Sequence, residues 1–526
     1  MSSRSFLLLC AASTACIAER GPFTNRMAHS STSYLARAAR QPVNWQPWGR
    51  EAFTLAAKLD RPVLLYVGSD VCRWCAETDR AIYTDPEIGA LINALFVPIR
   101  VDRDERPDVA QRYQAAVERL AGLHGLPLTV FLTADGAPFF GGTYFPADDP
   151  VTGRGLKQIL PEVARSYRDQ RSFIVQQAAM VRQLVLTGSE SRGALYPSLV
   201  RQEISGLRRA LDEAVGSHSV TGSVMHAEAV TLLLAVSARE RDTLSLRVAR
   251  RALDVMMDTA VGSAGEDPPR LVRAALAGTL AKAWVVTGDE RYANLGRALV
   301  RALSRDLSES PNDRALFADQ EAYVIEAVLL SAATFGEIPA GKRARSALDG
   351  LLQRTYARGW GVRHGISGAS STLGGALLQD QVQVASACLV AHQLTDDARY
   401  LDVAVDLAAI LERSYADPVG GYYDSALPAS TLSASQPPSP PLPPPPPPPP
   451  PSPPLGDRSK HVLDDMLPGA NAAAARFLLH LGEITGDAAY RRRARATLEA
   501  FAGNVSGSGI RAATFLSAAW ESMGNP

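Results

Sequence analysis

Residues 62–75 read Pro62-Val-Leu-Leu-Tyr-Val-Gly-Ser-Asp-Val-Cys72-Arg-Trp-Cys75. Pro62 to Val67 is a short apolar run of strand type, expected to be buried on both faces. Two cysteines follow at once, at the start of a helix. Upstream, Glu51 to Leu59 has the spacing of a helix, with Phe53, Ala56 and Ala57 on one face. Downstream, Asp85-Pro86 opens another helix, with Asp85 as its cap. Phe96 to Val101 is a second strand, Pro107 to Leu120 a helix and Leu126 to Leu132 a third strand. Asp135-Gly136 signals a hairpin whose return strand is Pro138 to Gly142. The order βαβαββ predicts an α/β sheet with helices on each face.

The Cys72-x-x-Cys75 pair is the clearest chemical signal. A helix N-terminus presents free N–H groups and the positive end of the helix dipole. A thiol placed there is expected to lose its proton more easily and to attack disulfides. Cys75 can then resolve the mixed disulfide by closing on Cys72. Arg73 adds positive charge nearby, and Trp74 offers an apolar surface for a substrate. The Leu126-Pro127 step opens a later strand, a place that suits a cis peptide. Strand, CxxC, helix and strand-opening proline together predict a thioredoxin-like fold, with Leu126 and Pro127 orienting the substrate chain beside Cys72. A permanent structural disulfide stays open as an alternative. A zinc site needs two more ligands; there is no second CxxC, and His124 alone does not make one. No metal and no cofactor are expected. Cys388 lies in an apolar helical stretch and reads as a buried, inert thiol.

From about residue 155 onward, Ala, Leu and Arg recur at helical spacing, as in Val272, Leu276, Leu280 and Ala283. Thr287-Gly-Asp-Glu-Arg-Tyr292, Thr395-Asp-Asp-Ala-Arg-Tyr400 and Thr485-Gly-Asp-Ala-Ala-Tyr490 repeat one device. In each, a helix stops, a turn follows, and the Asp caps the next helix. Asp319-Gln-Glu-Ala and Asp380-Gln-Val-Gln open two similar helices. Repeated helical hairpins imply a solenoid or a closed α/α toroid. Of the 36 prolines, 15 lie between Pro437 and Pro454, inside a low-complexity loop over 433–456. That tract cannot be helix or central strand. It reads as an expanded loop, with docking of a proline-recognising partner as the functional alternative.

These motifs resemble the spermatogenesis-associated protein 20-like (DUF255, thioredoxin-domain) family. The resemblance rests on Asn25-Arg-Met-Ala, Ser33-Tyr-Leu, Pro42-Val-Asn-Trp-Gln-Pro-Trp48, the cysteine motif, Val101-Asp-Arg-Asp-Glu-Arg-Pro-Asp108, Leu126 to Leu132 and Phe140-Gly-Gly-Thr-Tyr-Phe-Pro146. It implies a thioredoxin-like domain over 25–165. It also implies an (α/α)6 toroid over 190–526, similar to N-acylglucosamine 2-epimerases and six-hairpin glycosidases. The family's C-H-W-C-H motif reads Cys72-Arg73-Trp74-Cys75-Ala76 here, so both flanking histidines are replaced. Its glycine- and aromatic-rich toroid segment is replaced around Val261 to Asp267, where the chain reads as shortened.

The whole chain of 526 residues is 46% hydrophobic and 21% charged, with 54 basic and 54 acidic residues. Zero net charge removes the basic excess of a nucleic-acid binder, so no nucleic-acid partner is expected. Five cysteines are too few for a disulfide scaffold of this length. Residues 1–20 have the polar start, apolar run and small residues of an export signal, which places the protein in the periplasm or outside the cell. A cytoplasmic site is the alternative. The expected function is thiol–disulfide exchange with a protein disulfide or a small thiol, the toroid holding the partner. Two alternatives are a scaffold with a carbohydrate-binding toroid and a sugar epimerase. The epimerase would use His364, His392, His461 or His480, for which no pairing is evident in the sequence. Trp360, His364, Tyr422 and Tyr423 are candidates for a sugar-stacking cleft, with core packing as the alternative.

Overall fold

The computed structural model describes residues 23–149, 154–187, 191–217, 219–220, 223–262, 268–308, 315–367, 371–373, 376–427 and 457–524. The export signal, Cys10, Cys16 and the proline tract lie outside the described residues.

The N-terminal domain is built on a five-stranded sheet in the order β1-β3-β2-β4-β5. The strands are β1 (Gln46–Pro47), β2 (Val63–Gly68), β3 (Val97–Asp102), β4 (Leu128–Leu132) and β5 (Pro138–Gly142). β1, β3 and β2 run parallel; β4 and β5 are antiparallel. Every residue of β2, β3 and β4 is buried, as their mostly apolar runs suggest, and Arg100, Asp102 and Thr129 are buried with them. Four helices accompany the strands: α1 (Arg50–Leu59), α2 (Arg73–Ala81), α3 (Pro86–Leu95) and α4 (Pro107–Ala121). α4 packs on one face around Val109, Tyr113 and Val117. On the other face Ile88 and Ile92 of α3 join Trp45 and Phe131. Asp85 caps α3 as expected, accepting from the Glu87 and Ile88 N–H groups at 2.8 and 3.4 Å. Two further helices, α5 (Leu156–Asp169) and α6 (Arg171–Thr187), return to this domain; α6 lies beyond residue 165 and packs on β5 and α4.

The second domain is helical: α7 (Pro197–Gly216), α8 (Val224–Glu240), α9 (Thr243–Gly262), α10 (Arg270–Thr287), α11 (Glu290–Asp306), α12 (Ala318–Phe335), α13 (Ile338–Thr355), α14 (Leu378–Thr395), α15 (Ala398–Ile410), α16 (Ala470–Thr485), α17 (Ala488–Phe501) and α18 (Ala513–Ser522). The even-numbered helices form an inner ring. Each touches the next from α8 through α18, and α18 returns to α8. The odd-numbered helices form an outer layer. Inner helices have neighbours on most sides, so they carry small and apolar residues nearly all round, as in Ala470 to Leu481. The architecture is therefore an α/β domain followed by a closed (α/α)6 toroid. The expected shortening around 261–267 removes no hairpin from the ring.

The three repeats act as read. Asp289, Asp397 and Asp487 cap α11, α15 and α17. The hydroxyls of Thr287, Thr395 and Thr485 accept from the N–H groups of those aspartates at 3.2, 3.4 and 3.3 Å. Each device turns the chain from the inner ring to the outer layer.

Candidate functional site

β2 delivers the chain to Cys72, which caps α2; the Cys75 N–H donates to Cys72 Sγ at 3.0 Å. Cys72 and Cys75 form a disulfide with an S–S distance of 2.08 Å. The two sulfurs differ in access. Cys75 is fully buried, whereas Cys72 is half-buried and lines a cavity. α2 is fastened to the sheet from below. Asp79 accepts two hydrogen bonds from buried Arg100, at 2.7 and 2.6 Å, and the guanidinium lies 4.3 Å from the Tyr34 ring. Gly68 leaves room behind the pair: a Cβ there would stand 2.0 Å from the Tyr34 hydroxyl and 3.1 Å from Cys75 Sγ.

The cavity has a volume of about 400 Å³ and lies between the domains. Ser69, Val71, Cys72 and Leu126 form one wall. Leu126-Pro127 is a cis peptide, and Pro127 is buried behind the cavity wall. Asp319, Gln320, Gln379, Asp424, Asp465 and Met466 of the toroid face it. Trp74 lies outside this lining. It is 61% exposed and meets the Tyr144 ring at 5.7 Å. Cys72 and Leu126 thus share a wall, and Trp74 is not part of it.

The loop after β3 joins the domains. Its alternating charges pair locally in Arg103–Asp104 and Arg106–Asp108, at 2.8 and 2.6 Å. Arg100 instead crosses to Asp79, and Asp102 accepts from the Asp104 N–H at 2.9 Å. Burial, reinforced by Asp104, pushes Asp102 up to about 7. Asp104 binds the toroid twice: its carboxyl accepts from Gln320 at 3.0 Å, and its carbonyl from His364 Nε2 at 2.8 Å. Further ties are Arg182–Asp457 at 2.7 Å and Arg511–Glu118 at 3.0 Å.

His364 belongs to a buried cluster with Asp319 and Asp380 at the starts of α12 and α14. Its Nδ1 lies 2.9 Å from Asp380. With the other ring nitrogen on a carbonyl, both nitrogens must donate, so the ring is an imidazolium. Burial opposes that charge, but Asp380 outweighs it and raises His364 to about 10. Burial, with Asp380 adding, raises Asp319 to about 7. The ligand atoms of these three residues fall within 4.8 Å of one another, but both His364 nitrogens are committed. The cluster therefore reads as a polar clasp, not a metal centre. Burial also opposes the charge of His461, yet Asp424 at 2.9 Å holds it above its ordinary value. Three late histidines thus lie beside carboxyl groups, since His480 also meets Glu521 at 3.4 Å. The sequence expectation of no pairing is corrected, because ring closure brings distant helix ends together. Asp380 and the Asp104 carbonyl leave His364 no free nitrogen for proton transfer.

The other candidates disperse. Trp360 is 83% exposed, His364 is buried, Tyr422 donates to Glu412 at 2.5 Å and Tyr423 lies under Arg458. They form no common cleft. His124 lines the cavity beside Cys72, with its Nδ1 held by Glu118. Cys388 is buried, and burial pushes its thiol well up.

Residues 24–185 match the family described as "Protein of unknown function, DUF255". Over this stretch the N-terminal domain is similar to that family. It is 37% identical over 166 residues to human spermatogenesis-associated protein 20, covering 32% of this chain and 21% of that protein. An uncharacterised protein of Caenorhabditis elegans is 36% identical over 163 residues, 31% of this chain and 22% of that one. The match spans about a fifth of the length of these curated relatives. Among solved structures, the chain is similar to an unsaturated glucuronyl hydrolase specific for heparin, with 12% identity, a TM-score of 0.43, and coverage of 62% of this chain and 97% of that one. It is also similar to the GH76A alpha-1,6-mannanase of Salegentibacter sp. HEL1_6, with 11% identity, a TM-score of 0.44, and coverage of 60% and 98%. The stretch that matches this family contributes Cys72, Arg103, Asp104, His124 and Leu126 among others to the cavity, and the toroid forms the facing wall.

Proposed function

We propose that the protein is a thiol–disulfide oxidoreductase in which Cys72 is the nucleophile, Cys75 resolves, and the toroid holds the partner beside them. One observation carries the reading: Cys72 caps a helix and opens on a cavity, while Cys75 is sealed behind it. Once the bond is reduced, the N–H groups of the first turn of α2 face the Cys72 sulfur and stabilise its thiolate. That thiolate attacks an incoming disulfide. Cys75, shielded from the outside, attacks the mixed disulfide intramolecularly and restores the Cys72–Cys75 bond. A buttress without chemistry would have no use for an accessible sulfur at a cavity mouth.

The test is a redox titration of the full chain, with thiol alkylation and mass measurement at each potential. The pair is expected to titrate as a two-electron couple above about −300 mV, where structural disulfides typically fall below. Cys75→Ser is expected to accumulate a mixed disulfide on Cys72. A bond that stays oxidised below that potential, with no adduct in Cys75→Ser, overturns the proposal.

A further inference from the structure

We infer that the interdomain cavity binds a low-molecular-weight disulfide whose non-sulfur ends carry hydrogen-bond donors, ammonium or hydroxyl groups; the inference rests on the redox reading of Cys72 and Cys75. The cavity volume of about 400 Å³ falls in the range of small-ligand pockets and is too small for a folded substrate. The toroid stands directly across from Cys72 and is bolted there by Asp104, Arg182 and Arg511. A protein disulfide would have to displace that wall.

The polar character of the wall selects the ends of the ligand. Asp424 is 7% exposed, and its Oδ2 takes both Ser459 and His461, at 2.6 and 2.9 Å. Its Oδ1 has no hydrogen-bond partner and is buried. Asp424 belongs to a lining that also holds the carboxyl groups of Asp104, Asp108, Asp319 and Asp465. Asp465, partly exposed on the same wall, has His124 as an ionic neighbour only at 4.0 Å. Met225, Leu377 and Met466 supply apolar surface for the carbon chain between sulfur and polar end. Five carboxyl groups of the lining, Asp104, Asp108, Asp319, Asp424 and Asp465, outnumber Arg103 and His124, so an anionic disulfide meets more repulsion there than a cationic one.

The chemistry is exchange. The Cys72 thiolate attacks one sulfur of RSSR, the RS–SR bond breaks, and RS⁻ leaves. Cys75 then gives up its proton and attacks Cys72 Sγ, so the mixed bond breaks and a second RS⁻ leaves. Both leaving thiolates take up the two protons the protein thiols lose. The protein is oxidised to its disulfide and RSSR is reduced to two RSH.

The experiment uses the full chain, reduced with dithiothreitol and desalted. Loss of protein thiols is timed with cystamine, bis(2-hydroxyethyl) disulfide, dithiodipropionate and insulin. Each rate is divided by that of free mercaptoethanol with the same disulfide, which removes intrinsic reactivity. Cystamine is expected to exceed dithiodipropionate by about tenfold or more, the hydroxyl compound to fall between, and insulin to be slowest. Asp465→Asn, at a partly exposed position where folding is not at stake, and Asp424→Asn are each expected to narrow the cystamine preference several-fold. Equal normalised rates for cystamine and dithiodipropionate, a preference unmoved by both variants, or insulin reacting fastest overturns this inference while leaving the redox reading intact. A pair that exchanges with none of the four overturns both.

Discussion

Two sets of reactive groups face each other across the domain seam, both at the mouths of helices. At the start of α2, Cys72 keeps one side open to a cavity. At the starts of α12 and α14, Asp319, His364 and Asp380 are enclosed, and His364 spends both ring nitrogens on neighbours. The comparison separates reactivity from mere polarity. The carboxyl–imidazole cluster has the residue types of an acid–base centre, but its hydrogen bonds hold the domains together. The sulfur pair is chemically simpler and retains access.

The largest expected effect tests the sulfur side. Cys72→Ser should cut disulfide exchange by a factor on the order of 10³ or more, read by thiol loss, because Cys75 cannot be reached from outside. His364→Asn should leave the Cys72–Cys75 couple intact in the redox titration and lower stability instead. Its folded pKa of about 10 exceeds the ordinary 6.5. The stabilisation is therefore full below about pH 6.5 and is lost as pH rises through about 10. The variant should be destabilised by about 3–5 kcal/mol at pH 6 in denaturant titrations, with the deficit shrinking toward pH 10. Exchange lost in His364→Asn with stability unchanged would erase the distinction between the two clusters. The smallest effect belongs to Asp102, whose folded pKa of about 7 lies above the ordinary 3.8. Its neutral form favours the fold below about pH 4, and that advantage is lost as pH rises through about 7. The stability of Asp102→Asn relative to the natural residue should therefore increase as pH rises from 5 to 8, measured from the shift in denaturation midpoint.

Much of the first domain is legible in local sequence. Buried parallel strands announce themselves as apolar runs, and Asp85, Asp289, Asp397 and Asp487 announce helix starts through the shortage of acceptors there. The cysteine spacing places both sulfurs at one helix turn. The clasp was hidden for a different reason. Asp319 and Asp380 read correctly as helix beginnings, yet nothing local states that α12 and α14 are neighbours or that His364 lies between them. The cavity was equally hidden, since Cys72 and Asp424 meet only after the ring has closed and docked on the sheet. Trp74 was assigned to the substrate surface by its position in the motif; its ring is exposed and meets Tyr144, a contact that local sequence does not announce.

The return of α18 to α8 has an arithmetic consequence. An open array of hairpins can gain or lose a member at either end and keep the geometry of every remaining junction. A circle has no such freedom: dropping one member changes the radius and strains all the junctions at once. Changes in length are therefore steered into the connecting segments, and the described residues keep a ring of six hairpins.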